Sequence, residues 1–139
     1  MEHLVFVFGT LKQGFPNFAT NRGTRMGGTF VTRDAYPLYL VGERFSPWLI
    51  DEPGAGMRVA GEVYRVDADA LRAMDSLERV TQPDGYRRVL LDIECAETGS
   101  LHRAHAYLKP AGQLDASQVR RGPLEAYTHE HATLYRPRA

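Results

Sequence analysis

Residues 67–78, DADALRAMDSLE, are the stretch whose apolar spacing dictates a helix, and the remaining segments have to pack around it. At ~100° per residue, Leu71, Met74 and Leu77 form one stripe, and Glu78 projects between Leu71 and Met74 on the face that must be covered. Asp67 is the expected N-cap, with Asp69 in the first turn complementing the helix dipole. A carboxylate removed from water should titrate at higher pH, and the negative end of a helix pushes the same way, so Glu78 could serve as a proton shuttle near neutrality. The structural alternative is a carboxylate in the last turn paired with Arg79, Arg87 or Arg88.

Around this helix the chain reads as short strands. HLVFVF (3–8) is β-branched and aromatic without alternation, as in a central strand covered on both faces. It runs into Gly9-Thr10-Leu11-Lys12-Gln13-Gly14 and a Phe15-Pro16-Asn17 turn. A buried strand ending in a glycine turn gathers backbone N–H groups that can hold a carboxylate or an oxyanion; a plain turn is the alternative. The spacing of Gly9, Lys12 and Gly14 does not match a phosphate-binding loop. RMGGTFVTR (25–33) is expected as a strand entered through Gly27-Gly28, and YPLYLVG (36–42) as an edge or initial strand because of Pro37. From there to Gly56, Pro47, Pro53, Gly54 and Gly56 indicate an ordered loop around Trp48, which either lines a pocket or plugs the core edge.

MRVAGEVYRV (57–66) reads as a two-faced strand in which Gly61 marks a bulge or a close backbone approach. Glu62 is a rival carboxylate, expected to face solvent or pair with an arginine. Pro83-Asp84-Gly85 is a turn. RRVLLDIEC (87–95) alternates with Val89, Leu91, Ile93 and Cys95 inward, and LHRAHAYLK (101–109) pairs back as a hairpin with His105 and Tyr107 on one face. Residues from about 110 onward, polar and rich in Pro, Gly and Arg, are expected as short helical turns and a tail lying over the barrel or partly free. The sum is one α+β domain, 1–139, whose sheet curls into a small mixed β-barrel with packed helices.

Composition narrows the function. With 17 basic against 17 acidic residues there is no net field to draw in nucleic acid or a membrane, and the partner expected is a small molecule. The basic runs RRGP (120–123) and YRPRA (135–139) lack interleaved aromatics and read as solvated surface. Cys95 is the single cysteine, expected in the core, so no internal disulfide can form. No Cys/His spacing suggests a metal site, and no cofactor is expected. The acid in MEHLVFVF and its short apolar run do not suit an export signal, which points to the cytoplasm.

The ordered motifs Phe8-Gly9-Thr10-Leu11-Lys12-Gln13-Gly14-Phe15-Pro16-Asn17, Gly61-Glu62-Val63-Tyr64, Met74-Asp75-Ser76-Leu77-Glu78 and Tyr86-Arg87-Arg88 resemble the γ-glutamylcyclotransferase-like superfamily, in particular its γ-glutamylamine cyclotransferase and AIG2-like branch. The resemblance implies a small mixed barrel and an enzyme releasing 5-oxoproline from a γ-glutamyl compound. It places the catalytic acid/base on Glu78 and substrate binding on Phe8, Gly9, Thr10, Leu11 and Tyr86. Phe8 stands where the family's loop has tyrosine, so that hydroxyl is lost while the loop N–H groups remain.

In such a substrate the α-amine attacks its own side-chain carbonyl, so proximity is built into the molecule and no protein nucleophile is required. Other readings are a cyclotransferase for a carrier-linked or biosynthetic γ-glutamyl intermediate, a non-catalytic binding module on the same fold, and an interaction domain using the Arg-rich tail. Oligomeric state is read as monomer or homodimer.

Overall fold

The computed structural model describes residues 2–137. Its strands are β1 (His3–Val7), β2 (Thr24–Arg25), β3 (Phe30–Thr32), β4 (Leu38–Val41), β5 (Ser46–Leu49), β6 (Ala60–Val66), β7 (Arg87–Cys95), β8 (Leu101–Leu108) and β9 (Val119–Arg121). Helix α1 spans Ala68–Leu77 and helix α2 His129–Ala132.

β1 pairs antiparallel with β6 on one edge and parallel with β8 on the other. β8 forms a hairpin with β7, β7 takes up β3, and β3 returns to β6, so five strands close into a mixed barrel. The unalternating β1 follows from this place. Phe6 joins the cluster that also holds Phe30, Val63 and Ile93, whereas Val5 and Val7 belong to a second cluster with Ala70, Leu71 and Met74 of α1. Burying Leu71 and Met74 is worth roughly 1.5–3 kcal/mol each. Asp67 caps the helix, its Oδ1 accepting from the Ala70 N–H at 2.8 Å. Gly61 is a close approach, since a Cβ there would lie 2.8 Å from the Phe6 ring.

Three expectations are corrected. The strand expected over 25–33 is broken into β2 and β3, because Gly28 takes a φ of +91° and the chain turns there. The loop expected between Gly42 and Gly56 contains β5, in register with β4 from Leu38↔Leu49 to Val41↔Ser46. Pro47 is tolerated because β5 is the edge of its sheet, whose order is β5-β4-β9. The C-terminal region is also more than turns. It supplies β9 to β4, seats Tyr127 in the core at 0% exposure, and packs Ala132 of α2 and Leu134 after it against the same cluster. Arg120 and Arg121 are solvated as expected. Tyr135 and Arg136 of YRPRA instead bond to Arg44, and the last two residues of that motif, like Met1, lie outside the described residues.

Candidate active site

Glu78 ends α1, and its backbone is fixed from both sides. Its N–H donates to Met74 O at 2.9 Å, and its carbonyl accepts from the Tyr86 N–H at 3.0 Å. Between these anchors the chain makes a compact loop. Arg79 takes a positive φ of 55°, the Gln82 N–H donates to Arg79 O and the Gly85 N–H to Gln82 O. A side chain at Gly85 would collide with the Arg79 backbone, which is why glycine stands there. Arg87 fills the loop from beneath, its Nη1 donating to the carbonyls of Val80, Gln82, Gly85 and Tyr86 at 3.0–3.4 Å. The result sets Glu78 beside Tyr86, whose hydroxyl donates to Pro47 O of β5 at 2.8 Å.

Glu78 is half-buried, not enclosed between Leu71 and Met74 as the helix spacing predicts, because the helix stops before it and the side chain reaches the mouth of a cleft. The arginines of the structural alternative are engaged with other groups: Arg79 with Asp84 at 3.0 Å, Arg88 with Asp75 at 3.0 Å and Arg87 with the loop carbonyls.

The glycine loop after β1 forms the opposite wall. Gly9 O accepts from Lys12 N–H, Thr10 O from Asn17 N–H, and Leu11 O from Asn21 Nδ2. A trans peptide sets its N–H opposite its carbonyl, so the N–H groups of Thr10 and Leu11 are directed away from the first two of these anchors. Gly9 faces Pro47, where a Cβ would come within 2.9 Å of the ring. Phe8, Gly9, Thr10 and Leu11 line one cleft of about 30 Å³ with Glu78, Tyr86, Tyr107 and Pro47. Thr10, Pro47, Glu78 and Tyr86 also line the adjoining cavity of about 840 Å³. The sequence-predicted site residues are therefore brought together.

Glu62 is not with them. It accepts from Gln13 N–H and the Tyr64 hydroxyl, both at 2.9 Å, and pairs with Arg25 at 3.5 Å, holding the far end of the glycine loop. His105 packs edge-on against His3 instead of entering the cleft. Its neighbour Tyr107 does enter, donating to Asp75 Oδ1 at 2.7 Å. Burial and that carboxylate push the phenol far above its ordinary range, so it stays a proton donor. Trp48 lines the larger cavity with its face to Lys109, whose Nζ lies 4.2 Å from the Trp48 ring centre and 4.6 Å from that of Tyr86. Lys109 Nζ also donates to Asp84 O at 2.5 Å and Gln113 Oε1 at 3.2 Å. Lys109, Asn17, Arg44 and Tyr135 line the cavity although the sequence named none of them as a site residue; only their three-dimensional neighbours place them there.

A closed mixed barrel thus brings a glycine-turn loop and a helix-terminal carboxylate to one cleft that adjoins a cavity of small-molecule size. The chain belongs to the gamma-glutamyl cyclotransferase, AIG2-like family, whose model matches residues 5–129. It is 42% identical over 99 residues to the gamma-glutamylaminecyclotransferase of Homo sapiens, covering 68% of this chain and 63% of that one. It is 34% identical over 116 residues to gamma-glutamylaminecyclotransferase C of Danio rerio, covering 77% and 75%. The match to a second Danio rerio relative covers 49% of that protein, so the chain spans about half to two thirds of the first curated relatives it matches. The crystal structure of an AIG2-like protein from Mus musculus superposes with a TM-score of 0.82 at 30% identity, over 99% of this chain and 97% of that one. Among the described residues no helix is long and apolar enough to cross a membrane.

Proposed function

We propose that this chain is a γ-glutamyl cyclotransferase releasing 5-oxoproline from a γ-glutamyl amine. The observation carrying this reading is the convergence of Glu78 and the Phe8–Leu11 loop on one small cleft that adjoins a much larger cavity. The cleft takes the reacting centre, and the larger cavity, within the 300–1,000 Å³ usual for ligand pockets, takes the leaving amine.

The Glu78 carboxylate accepts a proton from the substrate's α-ammonium. The freed amine attacks the γ-carbonyl carbon, a carbon–nitrogen bond closes the five-membered ring, and the carbonyl oxygen becomes an oxyanion. The N–H groups of Thr10 and Leu11 are the donors for that oxygen, and a fixed donor of this kind is worth ~3 kcal/mol. As the tetrahedral centre collapses and the original amide bond breaks, Glu78 gives its proton to the departing nitrogen. The ring nitrogen, cationic since the attack, loses its extra proton to the regenerated Glu78 carboxylate, which passes it to the released amine, so a neutral lactam and an ammonium ion leave. Phe8 contributes no hydroxyl and serves as a buried wall of the cleft.

The test is 5-oxoproline release from γ-glutamyl-lysine, γ-glutamyl dipeptides, glutathione and a carrier-linked γ-glutamyl group by wild type and Glu78→Gln. We expect turnover by wild type and a fall of ~10²–10⁴-fold in the variant at unchanged folding. Full turnover by a folded Glu78→Gln protein would remove Glu78 from the mechanism. Release from the carrier-linked substrate alone would shift the reading to a biosynthetic intermediate.

A further inference from the structure

The segment after β9 is the part of the chain that the proposed mechanism leaves unused, yet it is fastened to the glycine loop at three places. Lys12 Nζ donates to Tyr127 O, and the Phe15 ring stacks on His129 with centres 4.2 Å apart. The third link is the one that reaches the reacting centre. Asn17 Nδ2 donates to Thr10 Oγ1 at 2.9 Å and to the Tyr135 hydroxyl at 3.3 Å. Asn17 also closes the loop with its own N–H on Thr10 O at 2.8 Å. From the other side Arg44 Nη2 donates to the same Tyr135 oxygen at 3.1 Å. Arg44 and Arg136 then exchange a reciprocal pair: Arg136 N–H to Arg44 O and Arg44 Nε to Arg136 O, each 2.9 Å. One oxygen therefore joins the glycine loop, the β4–β5 turn and the C-terminal segment, and Thr10, Asn17, Arg44 and Tyr135 all line the larger cavity.

We propose that Tyr135 is a positioning residue: through Asn17 it fixes Thr10, and with it the N–H donors of the glycine loop, while its bond to Arg44 holds the C-terminal segment against the cavity. This rests on the cavity being the site of the proposed reaction. An amide of asparagine whose two N–H groups are held by two different oxygens has one orientation; without the Tyr135 oxygen it turns, and the Thr10 side chain is released.

Tyr135→Phe is the test, because it keeps the ring against Arg44 and the backbone pair and removes the oxygen alone. The first readout is amide hydrogen exchange. The Lys12 and Asn17 N–H groups, which close the loop, should exchange roughly fivefold faster in the variant while β1 and β7 keep wild-type protection. This arm needs no turnover. In the kinetic arm kcat should fall roughly three- to tenfold with KM within about twofold, as expected when a donor acting on the oxyanion is misplaced. Asn17→Ala should cause a larger fall that adding Tyr135→Phe does not deepen, since the tyrosine acts through Asn17. Wild-type exchange at Lys12 and Asn17 in Tyr135→Phe overturns the inference, as does simple additivity of the two substitutions. If wild type releases no 5-oxoproline from any substrate, the functional reading fails, and the exchange rates alone decide the inference.

Discussion

Glu78 is placed less by the helix it terminates than by the loop that follows. The last helical turn gives it a backbone acceptor at Met74, but its heading is set by the left-handed Arg79, the glycine at 85 and the bond from Tyr86 N–H to Glu78 O. None of these is visible in helical spacing, so the sequence could single out Glu78 as a candidate while its half-buried position depended on a loop that no periodicity describes. Tyr127 poses the opposite case, a polar group enclosed in the core. Its ring is fully buried in the barrel cluster, and among the described residues its hydroxyl has no hydrogen-bond partner. A buried unsatisfied hydroxyl costs about 1–3 kcal/mol. Tyr127→Phe, which keeps the ring and removes the oxygen, should therefore raise the thermal midpoint by about 2–8 °C in differential scanning calorimetry. A lowered midpoint would mean that the hydroxyl is held by a group in solution.

At the level of elements, α1 links the packing to the candidate site, since its apolar face covers the outside of β1 and β6 and its C-terminus carries Glu78 to the cleft. Its N-terminus depends on one side chain, the Asp67 carboxylate bonded to the Ala70 N–H. Asp67→Ala should cost about 1 kcal/mol of unfolding free energy in a urea titration with an unchanged slope. A loss under a few tenths would place the start of the helix under the control of packing alone. The elements with a clear period were legible: α1 with its cap, β7 with Leu91, Ile93 and Cys95 inward, and β8 returning as its hairpin partner. β5 was hidden by Pro47, a residue that forbids a central strand but not an edge. β9 was hidden because Val119-Arg120-Arg121 is three residues long and mostly solvated, and its pairing to β4 is set by a partner some eighty positions away. For the same reason the glycine loop and Glu78 could be named from local motifs, whereas Lys109, Arg44 and Tyr135 become site residues only once distant segments meet around the cavity.

For the whole molecule, acid should act first on the seams that hold the barrel and its C-terminal cover together. His105 lies on the parallel β1–β8 seam against His3. Burial holds its pKa below the ordinary imidazole value, helped by Arg88 and His3 and opposed by Asp75. His131 belongs to α2, stacked on Tyr127, and is lowered by burial, helped by Arg121 and Lys12 and opposed by Glu130. In the unfolded chain both titrate near pH 6.5. Because the unfolded state binds these protons more readily, their contribution is intact above about pH 6.5 and is lost as pH falls from there through the lower folded values. Asp84, Glu97 and Asp115 are also depressed, by hydrogen bonds from Arg79, Thr29 and Ser117 respectively. Their share is present above the ordinary carboxylate range and disappears as pH falls below about 4. The two sets act in the same direction over separate windows, so the thermal midpoint should decline in two stages, one between pH 7 and 5 and a second below about pH 4.5. Midpoints measured at constant ionic strength for wild type, His105→Gln and His131→Gln should show the first stage shrinking in each variant. A wild-type midpoint that stays level from pH 7 to 5 would mean that neither histidine is held neutral by the fold, and the acid response would then belong to the carboxylates alone.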